Sequence, residues 1–267
     1  LAYIENTTDK ESIESAGKVC KGVFPVLRQE EKRIIQDDIP RSVSYFYTQA
    51  MIDELEKVMQ TVKPDIVQID FLIMTRYVYH INNTPVFYTE HDMSILDFKQ
   101  SFHDRDLSED LRFVEWQRLV EYERKIINKF KSVIVLTHRD KKLMDGFSGK
   151  TESVIIPTGV DTDFFKPEEI PSEEQAEQNL VFVGHYRHYP NADAIIYFVN
   201  EIYEKVLNIL PKIKLYVVGS GLTKDIEKLS HFNSNIIVTG EVEDIRKYLN
   251  RPNIFVAPVR LGGGIKG

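Results

Sequence analysis

The sequence predicts an α/β protein of two Rossmann-like domains, each built on a parallel sheet that is covered by helices. Strand-like and helix-like segments alternate along most of the chain, and helical crossovers join strands that run parallel. Residues 158–179 are rich in Pro, Asp and Glu and poor in apolar side chains, which is typical of a linker. The predicted domains are therefore 1–157 and 180–267, with 158–179 as the hinge.

The first domain is predicted to hold short strands at its start, then buried strands with amphipathic helices between them. The strands are expected at 1–4, 23–27, 65–70, 85–89, 132–136 and 153–156. One helix follows Pro40, because apolar residues recur there at i, i+3 and i+4 spacing until Pro64. A long helix is expected at 106–130 with Asp106 as its N-cap, and the spacing of Thr137 and Asp140 predicts a second capping box.

The second domain repeats the pattern from residue 180 onward. Strands are predicted at 180–184, 214–218, 235–238 and 253–257, and helices at 191–209, 222–230 and 243–250. The last strand leads into a Gly-rich turn where a covering helix is expected, so one face of this sheet lacks its cover. We therefore expect the second domain to be incomplete and the chain, which opens on Leu1, to be a fragment truncated at both ends.

The composition is that of a soluble globular protein and limits the classes of function. A net charge of −7 argues against a general nucleic-acid-binding surface. Cys20 is the one cysteine, so no internal disulfide forms and a reducing compartment fits. No apolar run approaches the roughly 20 residues that cross a bilayer, and no secretory signal precedes the first domain. We expect a cytoplasmic protein without nucleic-acid partners, and peripheral contact with the inner face of a membrane stays open.

Open parallel sheets bind ligands at the carboxyl ends of their strands, so the residues after each strand are the candidates for a site. Gly184 follows the first strand of the second domain, and Arg187 and Pro190 come next, where a helix begins. Glycine lets the backbone approach a ligand, and a helix N-terminus beside Arg favours an anion such as a diphosphate. A plain turn with solvent-facing charges explains the same residues equally well.

The later strands of this domain also end in candidate residues. The Gly219-Ser220-Gly221 turn lacks the third glycine of a dinucleotide fingerprint, so a nicotinamide cofactor is not favoured. Backbone groups around Glu241 and Val242 can read the edge of a base, although a tight turn is an equal alternative. The last strand leads to a candidate phosphate cradle, in which positive charge and glycines occur together: Arg260, Gly263, Gly264 and Lys266.

In the first domain the notable residue is His91, which follows an apolar strand and is flanked by Glu90 and Asp92. Such a histidine can donate to a substrate oxygen while a carboxylate orients its other nitrogen. A structural histidine is the equal alternative. No cluster of His, Cys, Asp and Glu has metal-ligand spacing, so no metal site is predicted.

Taken in order, these motifs resemble the group 1 glycosyltransferases of the family 4 type, which have the GT-B fold. The donor-domain resemblance is carried by residues 182–184, 189–194, 217–221, 238–246 and 256–260. The linker at 156–165 is similar to that family's hinge, often written N-G-V-D-x-x-x-F, and residues 116–123 with 133–137 resemble the end of its acceptor domain. Together these motifs are specific, and they run through most of the chain.

The resemblance implies a hexosyltransferase that moves a sugar from a nucleoside-diphosphate sugar, such as a UDP- or GDP-sugar, to a glycan or lipid-linked acceptor. It implies retention at the anomeric carbon, no metal and no other cofactor, in surface polysaccharide or glycoconjugate synthesis. By position, His91 is the catalytic candidate at the donor sugar. Gly184 and Arg187 would lie against the diphosphate, Glu241 and Val242 beside the base, and the phosphate cradle near the phosphates.

The sequence departs from the family at the first donor loop. The family has Arg directly after the glycine and a Lys a few residues later. Here His185 follows the glycine and no Lys comes after it, so Arg187 and Arg260 are the alternative residues for binding the phosphates. The family's acidic pair and Gly-rich acceptor loop have no counterpart in these residues, so we expect this chain alone to transfer sugar poorly or not at all. Two other interpretations stay open: a nucleotide-sugar epimerase-like enzyme, and a non-catalytic α/β nucleotide-binding module.

Overall fold

A computed structural model describes residues 1–4, 10–27, 39–91, 93, 108–167, 179–250 and 253–261. These residues form two compact units, unit 1 over Leu1–Thr158 and unit 2 over Gly159–Gly262. Every strand pairing described in them is parallel, and helices lie between successive strands. The predicted α/β class with parallel sheets is therefore confirmed.

Unit 1 contains a two-stranded and a four-stranded parallel sheet. The small sheet pairs β1 (Ala2–Ile4) with β2 (Pro25–Leu27). The larger sheet has the order β3 (Val67–Asp70), β4 (Val86–Glu90), β5 (Ser132–Val135) and β6 (Ser153–Ile155). Its α-helices are α1 (Lys10–Val19), α2 (Arg41–Tyr45), α3 (Gln49–Val62), α4 (Glu109–Ile126) and α5 (His138–Phe147). Residues Leu72–His80 and Ile127–Lys129 form 3₁₀ helices.

The helix predicted after Pro40 is in fact two helices, because the chain turns at Thr48. The Thr48 hydroxyl accepts from the Met51 amide at 3.3 Å, which caps α3, and the Thr48 amide donates to the hydroxyl of buried Tyr77 at 2.9 Å. A side chain from a later segment thus satisfies the amide at this break. At the other end, Lys63 has a left-handed φ of 51° and terminates α3 before Pro64.

The start of the long helix was also predicted wrongly, whereas Thr137 is confirmed as the N-cap of the next helix. Helix α4 begins at Glu109, and Ser108 is its N-cap, since its hydroxyl accepts from the Leu111 amide at 3.4 Å. Asp106 lies outside the described residues. At the start of α5, the Thr137 hydroxyl accepts from the Asp140 amide at 3.0 Å and donates to the Asp140 carboxylate at 2.6 Å.

The core of unit 1 is centred on the strands β4 and β5. Tyr88, Val133 and Val135 are fully buried, and α5 covers them with Met144, which is also fully buried. Each such side chain contributes roughly 1.5–3 kcal/mol by leaving water. A groove of about 640 Å³, lined mainly by apolar side chains of α3 and β3, reaches Asp70 and Phe71 at the end of β3.

Unit 2 contains one four-stranded parallel sheet. Its strands are β7 (Asn179–Val183), β8 (Leu215–Val218), β9 (Ile236–Gly240) and β10 (Asn253–Phe255). Their order across the sheet is β10, β7, β8, β9. The α-helices are α6 (Tyr189–Phe198), α7 (Glu204–Leu207), α8 (Lys224–Glu227), α9 (Leu229–Phe232) and α10 (Arg246–Leu249). The predicted single helix at 222–230 is thus the pair α8 and α9.

The helix predicted at 191–209 is interrupted by a π-helical turn over Val199–Tyr203, between α6 and α7. Tyr203, the last residue of this turn, donates from its hydroxyl to the carbonyl of Ile213, two residues before β8, at 2.8 Å. Tyr203 is 2% exposed, so the hydrogen bond is buried among the apolar residues of the unit 2 core. A one-turn irregularity of this kind re-aims a side chain without ending the helix.

Within the described part of the chain, no helix is both long enough and apolar enough to cross a membrane.

Candidate functional site

The carboxyl ends of the unit 2 strands form one edge at which their loops meet. The Gly184 amide, after β7, donates to the Val218 carbonyl of β8 at 3.0 Å. The Gly219 amide, after β8, donates to the Gly240 carbonyl of β9 at 2.9 Å. The backbone ladder therefore continues past the strands and fixes the loops against one another.

Gly219 is required by this close approach. Its φ is +134°, and a Cβ placed on it would lie 1.9 Å from the Gly184 carbonyl oxygen. A contact of that length with backbone cannot be relieved by moving a side chain. The two loops can therefore touch only because one of them has glycine.

Three polar side chains gather over a second glycine of this edge, Gly221. The His185 Nδ1 lies 2.9 Å from the Ser220 hydroxyl. A Cβ on Gly221 would lie 2.7 Å from the His185 ring and 3.1 Å from the Arg187 Cγ, so both side chains pass over its bare Cα. His185 and Arg187 are exposed at this edge. We call His185, Arg187, Ser220, Gly184 and Gly221 the carboxyl-edge cluster.

Hydrogen bonds from neighbouring residues hold the loop of the carboxyl-edge cluster in place. Tyr186 is 1% exposed, and its hydroxyl donates to the Val218 carbonyl at 2.9 Å. Burial raises the pKa of the Tyr186 phenol above its usual range, so this donor keeps its proton. The side-chain amide of Asn191, in the first turn of α6, donates from Nδ2 to the His185 carbonyl at 3.2 Å. These bonds hold the loop between β7 and α6 in one conformation.

Glu241 and Val242 lie where predicted, directly after β9. Glu241 is exposed and Val242 is half-buried. The turn that leads to them requires Gly240, whose φ is +72°. The nearby Asp244 carboxylate forms a close pair with the Arg246 guanidinium, Nη2 to Oδ2 at 2.7 Å, and hydrogen bonds from Arg246 lower the pKa of Asp244.

Arg260, predicted as part of the phosphate cradle, is held by α6. Its Nη2 and Nε donate to the Asp193 carboxylate at 2.7 and 3.2 Å, and its Cζ lies 4.0 Å from the centre of the Tyr197 ring. The other predicted cradle residues, Gly263, Gly264 and Lys266, lie outside the described residues.

In unit 1, His91 follows β4 and contacts two residues from the end of the neighbouring strand β3. Its Nε2 lies 3.0 Å from the Asp70 Oδ1, and its ring stacks on Phe71 with centroids 4.3 Å apart and planes at 22°. Phe71 has φ 68°, in the left-handed region that non-glycine residues rarely adopt. We call Asp70, Phe71 and His91 the histidine cluster.

Among the described residues, the carboxylate that contacts the His91 ring is that of Asp70, which is distant in sequence. Glu90 is 3% exposed and accepts from the hydroxyl of buried Tyr88. Burial and the charges of Glu90 and Glu123 raise the pKa of Tyr88 well above its usual value. Asp92 lies outside the described residues. Adjacent parallel strands deliver Asp70 to His91, and this pairing is invisible to local sequence inspection.

Two members of the carboxyl-edge cluster, His185 and Ser220, are not among the site residues predicted from the sequence. His185 departs from the family pattern at the first donor loop, and Ser220 lies in a weak glycine motif. The signal that could have found them is their shared position directly after adjacent strands. Among the described residues, no group of three or more His, Cys, Asp and Glu side chains could hold a metal ion.

Two family models match the chain. The model described as Glycosyltransferase Family 4 matches residues 20–164, and the model described as Glycosyl transferases group 1 matches residues 177–267. No curated protein matches the chain by sequence.

Among solved structures, TarM is similar with a TM-score of 0.50 and 18% identity over 75% of this chain and 38% of TarM. The chain thus spans well under half of the length of TarM. A mutant of S. aureus TarM, in complex with fondaparinux, alpha-GlcNAc-glycerol and UDP, has a TM-score of 0.48 and the same identity and coverage. A putative UDP-N-acetylglucosamine 2-epimerase from Listeria monocytogenes has a TM-score of 0.48 and 12% identity over 85% of this chain and 58% of its own.

The likeness to TarM shows a shared fold and confirms the predicted architecture of two Rossmann-like units of the GT-B type. Sequence carries the family assignment, since the Family 4 model spans more than half of the 267 residues and the group 1 model covers the unit that follows. The protein therefore belongs to glycosyltransferase family 4, of the group 1 type.

Proposed function

We propose that the protein transfers a hexose from a nucleoside-diphosphate sugar to a glycan or lipid-linked acceptor, with retention at the anomeric carbon and without a bound metal. The observation that supports this best is the carboxyl-edge cluster of unit 2. There the imidazole of His185, the guanidinium of Arg187 and the hydroxyl of Ser220 lie close together at the carboxyl ends of the strands. Glycines at this edge leave the backbone accessible to a ligand. That combination suits a diphosphate.

The chemistry explains why such donors are needed. The bond between the anomeric carbon and the diphosphate oxygen breaks, a bond from the acceptor oxygen forms, and the acceptor proton leaves with the diphosphate. Negative charge grows on the diphosphate as its bond breaks, so fixed donors and positive charge lower the barrier. His185, Arg187 and Ser220 supply both in this proposal.

We propose that His91 positions a hydroxyl of the sugar or of the acceptor. Asp70 contacts Nε2 of His91, so an Nε2–H donated to this carboxylate would orient the ring and leave Nδ1 to face the hydroxyl. In this proposal a neutral ring receives a hydrogen bond at Nδ1. A protonated ring donates one from Nδ1, which is the role that the sequence suggests.

Nucleotide binding tests the donor site. The protein is titrated calorimetrically with UDP, GDP, ADP and dTDP, without and with magnesium, and we expect one of them to bind equally well in both conditions. His185→Ala and Arg187→Ala should each weaken that binding roughly tenfold or more, because each removes a contact to a charged group. His231→Ala, at an exposed position of the same unit, is the matched control. Binding of none of the four nucleotides would refute the proposal.

Product analysis tests the reaction. With the nucleotide-sugar that binds and a panel of acceptors, we expect a glycoside with the anomeric configuration of the donor, seen by NMR. Epimerised sugar nucleotide released without acceptor would point to epimerase chemistry instead. We propose that these 267 residues alone transfer sugar slowly but measurably, so the product is expected in low yield, and a high rate would contradict this.

We also propose that the protein acts in the cytoplasm, in the synthesis of surface polysaccharide or glycoconjugates. A lipid-linked acceptor would bring it into peripheral contact with the inner face of a membrane. Fractionation of lysed cells tests this placement. We expect the protein in the cytosol and in a membrane fraction from which salt releases it.

A further inference from the structure

We propose that Asp193 and Tyr197 are positioning residues that hold Arg260, and with it the loop after β10, at the carboxyl edge of the unit 2 sheet. In this assignment Arg260 anchors the loop and is not itself a ligand of the phosphates. The inference rests on the proposed function, since the loop that it fixes belongs to the proposed donor site.

The first observation is the geometry of the ion pair. Nη2 of Arg260 donates to one oxygen of Asp193 at 2.7 Å, and Nε donates to the other at 3.2 Å. Two parallel bonds fix the plane of the guanidinium as well as its distance. The Asp193 side chain is only 15% exposed, so water competes weakly for it.

The second observation is the aromatic ring on the other side of the guanidinium. Tyr197 lies four residues after Asp193 in α6, so the two side chains share one face of the helix. The Cζ of Arg260 lies 4.0 Å from the centre of the Tyr197 ring, which is a close cation–π contact. The hydrogen bonds that Arg260 donates to Asp193 also raise the pKa of Arg260.

The third observation is the position of these contacts; we call Arg260, Asp193 and Tyr197 together the clamp. Strand β10 is the neighbour of β7, and the Val256 amide just past it donates to the Val181 carbonyl at 2.9 Å. Helix α6 follows the loop of the carboxyl-edge cluster. The clamp therefore ties the loop after β10 to the helix that starts at the loop after β7.

Charge explains why we assign Arg260 as an anchor. A phosphate that bound the same guanidinium would come close to the Asp193 carboxylate, and like charges at that range repel. Arg187 and His185 have no such carboxylate within the described part of the site. They are the better-placed contacts for an anion, while Arg260 sets the position of the loop.

A double-mutant cycle on nucleotide affinity tests the assignment. If Arg260 acts through Asp193, then Asp193→Asn and Arg260→Gln each weaken binding of the nucleotide that the protein prefers, by roughly threefold to tenfold, and the double variant is no worse than either. Tyr197→Phe keeps the ring and should retain wild-type affinity, whereas Tyr197→Leu should lose it. Asp225→Asn is the control, because Asp225 forms an exposed pair with Lys228 in the same unit.

The opposite assignment gives a different result. If Arg260 is a phosphate ligand, Arg260→Gln alone weakens binding, and Asp193→Asn leaves affinity unchanged or raises it because it frees the guanidinium. That outcome would overturn the inference.

A second readout keeps the inference testable if no nucleotide binds, which would refute the proposed function. Proton exchange of arginine Nε–H groups is followed by NMR in the unliganded protein. We expect the Arg260 proton to exchange at least several-fold more slowly than that of Arg187, and Asp193→Asn to remove the difference. Equal exchange rates in the wild-type protein would show that no clamp exists.

Discussion

At the scale of single residues, Phe71 shows that the histidine cluster is held under strain. A φ of 68° at a non-glycine residue costs on the order of 1–3 kcal/mol. The side chain is 53% exposed, so burial does little to offset that strain. Its ring stacks on His91, and we infer that the conformation persists because it orients the imidazole.

Two substitutions at this position should separate stability from activity. Phe71→Gly removes the ring and relieves the backbone, whereas Phe71→Ala removes the ring alone. We expect the glycine variant to be more stable than the alanine variant by about 1 kcal/mol in urea unfolding. Both should lose transfer activity by roughly threefold to tenfold, through loss of the stack. Equal stability of the two variants would mean that the backbone at residue 71 is not strained.

Gly219 gives a second prediction at the residue scale. Gly219→Ala forces a Cβ to 1.9 Å from a backbone oxygen at a φ of +134°, so it should destabilise the protein by about 2 kcal/mol or more. Gly146→Ala is the matched control, because a Cβ in that helical position meets nothing within 4 Å. The control should raise stability by up to about 1 kcal/mol. A mild effect of Gly219→Ala in urea unfolding would show that the two loops can separate.

At the scale of elements, one phenol attaches the π-helical turn at Val199–Tyr203 to the segment that leads into β8. Burial raises the pKa of Tyr203 to about 12, against roughly 10 for an unfolded tyrosine. Because the folded value is the higher one, stability from the protonated phenol is complete below about pH 10 and is lost as pH rises through 12.

Tyr203→Phe tests this attachment. At pH 7 the variant should be less stable by about 1 kcal/mol, since the Ile213 carbonyl loses its buried donor. The difference between wild type and variant should shrink as pH rises above about 10, because only the wild type then has a buried phenol to ionise. Urea midpoints at several pH values measure this. A difference that stays constant up to pH 12 would contradict the assignment.

At the scale of the whole molecule, each unit has a hydrophobic core of its own. The core of unit 1 includes fully buried Met144, and the core of unit 2 includes fully buried Leu215. Trp116 is the one tryptophan in the sequence, and it packs against the core of unit 1. Its fluorescence therefore reports on unit 1 alone.

This arrangement predicts separable effects of core substitutions. Met144→Ala should destabilise unit 1 by about 2–5 kcal/mol and lower the thermal midpoint seen by Trp116 fluorescence. Leu215→Ala should do the same to unit 2, lowering a transition seen by circular dichroism while the Trp116 midpoint stays in place. A Trp116 midpoint that moves equally with both substitutions would show that the units unfold as one.

Sequence patterns were sufficient to predict the architecture, the positions of most strands and the family. Apolar periodicity and β-branched runs are local signals, and a buried parallel strand needs little else to be recognised. The N-cap at Thr137 was also predicted correctly, because Thr137 and its partner Asp140 lie within one helical turn. Gly184 and Glu241 were placed at strand ends for the same reason, as they follow runs that read plainly as strands.

Contacts between residues that are distant in sequence could be seen only in the folded chain. The Thr48 amide at the helix break donates to the Tyr77 hydroxyl. His91 contacts Asp70 from the adjacent strand, and Arg260 donates to Asp193. None of these contacts leaves a local pattern, because strand order and not chain order brings the groups together. The proposed roles of the candidate residues depend on these contacts. The fold could therefore be predicted from local patterns, whereas the chemistry of the site could not.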